Sequence, residues 1–220
     1  MTTHTLSQSN WESCLDEYIA CLGRNIHLDC DDGLPFAERI AQLLGALLNE
    51  FTHESKAKDE WSPLRWRATS VGVFVSTYSK KQKHEYTLGI YGHEIYINST
   101  ILEAQNLKGM NDEFWRQFME LTKSGDFQFQ ENAGLPDSSK RVCDIKSGRS
   151  GVFKLIRNYV LLEEHSPLNT ADLGWFEFKW SASAPLETIR ISGTIAFKGI
   201  YKLNYLLYRS QYLKEKSKQI

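Results

Sequence analysis

Cysteine is sparse in this chain, and its placement excludes more than its number does. Cys14, Cys21, Cys30 and Cys143 include no CxxC pair. Neither a zinc site nor a disulfide framework is expected from them, and they read as reduced thiols, Cys14 and Cys21 lying two turns apart on one helix. Long apolar runs are missing too. The longest helix-compatible one, around Ile40 to Leu48, is far short of the ~20 residues that cross a bilayer. Met1 to Asn10 is polar, without the basic and apolar regions of a secretory signal, so a cytoplasmic protein with no membrane contact is expected. Also absent are GxxxxGK[ST], GxGxxG, HExxH and GxSxG, which removes the motifs for phosphate-loop, dinucleotide, zinc-protease and serine-hydrolase chemistry. His4, His27, His53, His84, His93 and His165 are scattered and read as surface imidazoles. No metal site and no cofactor are expected.

Neither sign of charge dominates the whole, since the net charge is −1, but the halves differ. Residues 1–60 hold eleven acids and four bases, and the remaining 160 residues hold 22 bases and 16 acids. A basic body with an acidic N-terminal part suits a polyanion, an acidic partner, or mutual pairing of the two regions. Apolar residues make up 41% and charged residues 24%, a composition that buries a core rather than staying disordered. At 220 residues one α+β domain is expected, with a helical acidic part over about 1–60 and a basic C-terminal helix over about 198–216.

The stretch from Trp66 to Ile101 organises the rest. Val71, Val73, Val75 and Thr77 alternate with Phe74 and Tyr78, and Tyr86, Leu88 and Ile90 alternate with Thr87, Gly89 and Tyr91. Period-2 runs of β-branched and aromatic residues predict strands. Lys80, Lys81 and Lys83 make a solvated tip between them; Gly92-His93-Glu94 is a second turn, after which Ile95 and Ile97 resume the alternation. A hairpin alone is marginal, so helices from the flanks must cover a face.

Those helices are readable. Ser9 and Glu12 fit a capping box ahead of Trp11, Leu15, Tyr18, Ile19 and Leu22, with Gly23 as the stop. The acids around Asp29 to Asp32 miss the calcium-loop pattern and suit the start of the next helix instead. Pro35 then opens a helix with one apolar stripe: Phe36, Ile40, Leu43, Leu44, Leu47, Leu48 and Phe51. His53 to Pro63 is a polar linker. Asn111-Asp112 caps a helix with Phe114, Trp115, Phe118 and Leu121, Gln128 to Lys140 reads as a loop, and Phe153 to Leu162 favours helix. Trp175 to Trp180 alternates as a strand with Glu177 and Lys179 on a water-facing side, and Ile189 to Phe197 reads as one more strand. A last helix, about Lys198 to Lys216, carries Tyr201, Tyr205, Tyr208 and Tyr212 on one stripe that suits the core. The expected architecture is α+β, a mostly antiparallel sheet of about five or six strands flanked by helices.

Glu177-Phe178-Lys179 resembles the acid-x-Lys half of the PD…(D/E)xK nuclease pattern, and Asp144, or Asp137 after Pro136, offers the other acid. That resemblance implies a metal-dependent nuclease in which Glu177 and Asp144 hold Mg²⁺ and Lys179 helps to activate water. Gly89-Ile90-Tyr91 and Tyr96-Ile97-Asn98 resemble GIY-YIG nucleases, departing in the four-residue gap and in Asn98 for Gly. The preferred reading is a non-catalytic binding subunit of a prokaryotic-type cytosolic system, contacting a protein partner or nucleic acid. Lys140, Arg141, Lys146 and Arg149 in one region, with Lys202 and Arg209 on the last helix, are the candidate nucleic-acid contacts, interleaved with aromatics that can stack on bases.

Overall fold

A computed structural model describes residues 6–101, 104–122, 127–131, 156 and 174–217. The expected α+β architecture is the one seen, with a mostly antiparallel sheet and flanking helices. Helices α1 (Gln8–Gly23) and α2 (Leu34–Glu54) precede strands β1 (Arg65–Thr69), β2 (Gly72–Ser79), β3 (His84–Tyr91) and β4 (Glu94–Thr100). A short 3-10 segment (Ala104–Gly109), α3 (Asp112–Thr122), β5 (Phe127–Glu131), β6 (Gly174–Ser181) and α4 (Leu186–Ser217) follow. The strand order is β1-β2-β3-β4-β6-β5. β1 runs antiparallel to β2, from Arg65 opposite Ser76 to Thr69 opposite Gly72, and β5 antiparallel to β6, from Phe127 opposite Phe178 to Glu131 opposite Gly174. Backbone bonds from Ala182 to His93 (2.9 Å) and from Ile101 to Gly174 (2.8 Å) give β4 and β6 opposite directions. No helix among the described residues is long and apolar enough to cross a membrane.

Contacts divide the chain into two compact units. The first comprises Met1–Lys80, Glu85–Ile97 and Lys179–Lys198, the second Lys81–His84, Asn98–Phe178 and Gly199–Ile220. In the first, α2 lays its stripe on β2 and β1, burying Ile40, Leu43, Leu44, Leu47, Leu48 and Phe51. Pro35 sits in the first turn of α2, where its missing N–H costs nothing. Trp61 ties the linker down, its ring 5.6 Å from those of both Tyr86 and Phe197. Tyr18 donates a 2.7 Å hydrogen bond from α1 to the carbonyl of Val71. Gly92 turns β3 into β4 at φ +57°, a left-handed conformation that a side chain resists. In the second unit Phe118 and Phe176 pack at 5.7 Å, Leu203, Leu206 and Leu207 are buried, and Asn204 donates to Ser99 Oγ at 2.7 Å. Asn111 caps α3 as expected, its Oδ1 accepting from the Phe114 N–H at 3.2 Å.

Several expectations change. The cap of α1 is Ser7, not Ser9: Ser7 Oγ accepts from the Asn10 N–H at 3.3 Å, and Glu12 accepts from Gln8 Nε2 rather than closing a capping box. The first β-run breaks at Ser70-Val71 into β1 and β2, so four strands stand where two or three runs were read. Residues 127–131 form β5 rather than the start of a loop. The strand expected over Ile189 to Phe197 is helix: α4 begins at Leu186, twelve residues earlier than expected. Leu186, Ile189, Ala196, Phe197 and Ile200 are buried while Ile191 and Ile195 are 58% and 62% exposed, a helical period that packing enforces over the β-branched composition. Residues 132–155 and 157–173, with the basic run Lys140 to Arg149 and most of the helix read over 153–162, lie outside the described residues.

Candidate functional site

Alternation along β6 sends Phe176, Phe178 and Trp180 into the core, at 0%, 4% and 8% exposure, and Trp175, Glu177 and Lys179 to the opposite side. That side was expected to face water, yet Glu177 is only 5% exposed. Its Oε2 accepts hydrogen bonds from Trp175 Nε1 at 3.0 Å and from Asn98 Nδ2 at 3.3 Å. A buried carboxylate needs such donors to offset its lost hydration. Lys179 has a different partner, Glu94, at 2.9 Å on the surface. The acid and the lysine of the nuclease resemblance are thus each engaged by a neighbour: Glu177 is a hydrogen-bonded anchor of the sheet, and Lys179 has its charge neutralised. Asp144 and Asp137 lie outside the described residues. Gly89 and Tyr96, from the other nuclease resemblance, form a packing pair, the Tyr96 ring filling the place where a Cβ on Gly89 would stand.

Of the candidate nucleic-acid contacts, Lys140, Arg141, Lys146 and Arg149 lie outside the described residues. Lys202 and Arg209 are exposed on α4, and Lys202 pairs with Glu113 of α3 at 3.4 Å. The tyrosine stripe is not core. Tyr201, Tyr205 and Tyr208 are half-buried and Tyr212 is 51% exposed. Tyr208 and Tyr212 stack at 6.4 Å, and Lys81 Nζ sits 5.8 Å from the Tyr205 ring.

A surface that sequence reading passed over lies in the first unit. Val73 and Val75 of β2 point to the α2 side, so Phe74, Ser76 and Tyr78 point away from it. Arg67 stands opposite Phe74 and Arg65 opposite Ser76, which puts both guanidinium groups on that open face. Both are exposed, and neither guanidinium has a partner among the described residues. Tyr78 and Tyr91, 40% and 60% exposed, add large amphipathic rings. The available signal was Arg65-Trp66-Arg67 at the head of a β-run, two like charges at period 2.

The thiols are graded by position. Burial pushes Cys14 up from 9.0 to about 11, with Arg39 opposing and Glu17 adding to the rise, and burial raises Cys21 as well. Cys14 lines a cleft of about 140 Å³ with Asn10, Ser13, Glu17, Arg39 and Leu43, whose rim carries the Arg39–Glu17 ion pair at 2.5 Å. Cys30 is exposed, and His27, Asp29 and Cys30 bring one donor atom each within 4.8 Å of one another on the turn before α2. All three are exposed, and such groups are common on surfaces without a metal. In a Cys143→Ser background at pH 8, a disulfide-exchange reagent is expected to modify Cys30 first, with Cys14 and Cys21 following only on denaturation, because the thiolate is the reacting form. Equal rates for all three in the native chain would contradict their placement. The raised pKa of Cys14 also favours the folded state below pH 9, a contribution lost as pH climbs from about 9 towards about 11. No protein-family model matches the chain, and no curated protein matches its sequence.

Proposed function

We propose that this protein is a non-catalytic binding subunit that holds a protein partner on the open side of its sheet. The observation that supports this reading is the pair Arg65 and Arg67, exposed and without partners among the described residues, beside the exposed rings of Tyr78 and Tyr91. Arginine and tyrosine are the residues over-represented among contacts that dominate interface energy. Exposed charges left uncompensated on a sheet face cost little in the free protein and become complementary contacts when an oppositely charged surface arrives. The nuclease reading has less support, because Glu177 and Lys179 already serve the sheet and its surface.

The test has two arms. Purified chain incubated with plasmid DNA, single-stranded DNA or RNA and Mg²⁺ or Mn²⁺ is expected to leave them intact, and cleavage abolished by Glu177→Gln would overturn the reading. Immobilised wild-type chain is expected to retain a defined protein from its native extract that the Arg65→Glu/Arg67→Glu variant does not retain. Identical retention by both would show that this surface does not hold the partner.

A further inference from the structure

We infer that β1 is a docking edge for an extended acidic peptide, which joins the sheet as an added strand with carboxylates at alternate positions. The inference rests on the protein-binding reading above and names the chemistry of its ligand. β1 is the terminal strand of the sheet, five residues long, and pairs only with β2 among the described residues. Every second residue therefore points its N–H and C=O away from the sheet, a row with no partner among the described residues and a template for another chain.

The side chains say which chain fits. Arg65 and Arg67 are two residues apart, about 6.6–6.8 Å along a strand, and share the open face. Trp66 stands opposite Val75, on the other side, and is 41% exposed. An added strand presents its own side chains with the same period, so positions beside the guanidinium groups favour Asp or Glu, and the position between them favours an apolar residue against the Trp66 indole. Guanidinium–carboxylate pairs are charge-assisted and directional. The ladder gives affinity, and the alternating side chains give selectivity. A second copy of this chain is a poor occupant, because edge-to-edge pairing of two β1 strands brings arginine rows together, and like charges facing each other destabilise a sheet. A nucleic acid can meet the arginines but cannot complete the backbone ladder.

The probe is a short fluorescent, terminally blocked peptide alternating Glu with Val, titrated with the full chain and followed by anisotropy. Controls are the same composition with the glutamates contiguous, the alternating peptide N-methylated at every second amide, and an oligothymidylate. The alternating peptide is expected to bind, and its affinity is expected to fall at least about tenfold in Arg65→Glu/Arg67→Glu and on N-methylation. The melting temperature of the variant is expected to stay that of the wild type, since both side chains are exposed and neither guanidinium has a partner among the described residues. Binding that survives either charge reversal or N-methylation overturns the edge-pairing inference, as does preference for the oligothymidylate. Absence of peptide binding overturns it too, and assigns the arginines to guarding the edge against aggregation. If the native partner is still retained in an Arg65- and Arg67-dependent way in that case, the binding reading survives without the edge; if neither is seen, both fall.

Discussion

Leu47→Ala lowers the stability of this chain by about 2–5 kcal/mol, read as a drop in the urea midpoint at unchanged slope. Leu47 is fully buried and Leu44 is 1% exposed, on the stretch of α2 that lies against β2 and β1. Neighbouring side chains on this face, Leu43, Leu48 and Phe51, are buried as well. Removing three carbons there forfeits their transfer free energy and leaves a space that a helix clamped on a sheet cannot collapse to fill. Leu34, on the same helix but 45% exposed, is the internal control, and Leu34→Ala is expected to change stability by less than about 0.5 kcal/mol. Equal, small effects at both positions would mean that α2 does not pack as described.

The contrast between α2 and α4 shows where a local pattern is enough. In α2 the apolar stripe, the proline in the first turn and the length all agree, so packing only confirms a pattern already present in the residues. At the head of α4 the signals conflict. Ile189, Ile191, Thr194 and Ile195 are β-branched, and Gly193 interrupts the window, so composition pointed to a strand while burial of Leu186, Ile189, Ala196 and Phe197 follows a helix. At Ser70-Val71 the alternation carries straight across a two-residue turn, and nothing local separates β1 from β2. Glu177 is a different kind of miss. Its side of β6 follows from alternation, but whether that side is covered depends on neighbours such as Asn98, 79 residues away in sequence. The arginine edge was illegible for a related reason: that β1 ends the sheet is a property of strand order, which no window of residues contains.

Gly193→Ala is expected to destabilise the chain by about 1–3 kcal/mol, although alanine is the better helix former by up to about 1 kcal/mol. A glycine inside a helix needs a packing reason, and here it is Phe51. A Cβ at 193 would stand 2.2 Å from Phe51 Cζ and 2.8 Å from Cε1 and Cε2, closer than real contacts allow. The ring cannot easily step aside, being fully buried, and the backbones are held together one turn away. There Arg190 grips Glu50 through two hydrogen bonds, Nε to Oε2 at 2.8 Å and Nη2 to Oε1 at 3.2 Å. The clash therefore falls on helix position or ring rotamer, and both are costly in a close-packed core. A double-mutant cycle separates this cause from a general defect. Phe51→Leu alone is destabilising through lost volume, but in the Phe51→Leu background Gly193→Ala should cost little or even stabilise. The coupling energy between the two sites should then be about 0.5–3 kcal/mol. Additive effects, or a stabilising Gly193→Ala in the wild-type background, would show that Phe51 does not rest on α4 at this glycine.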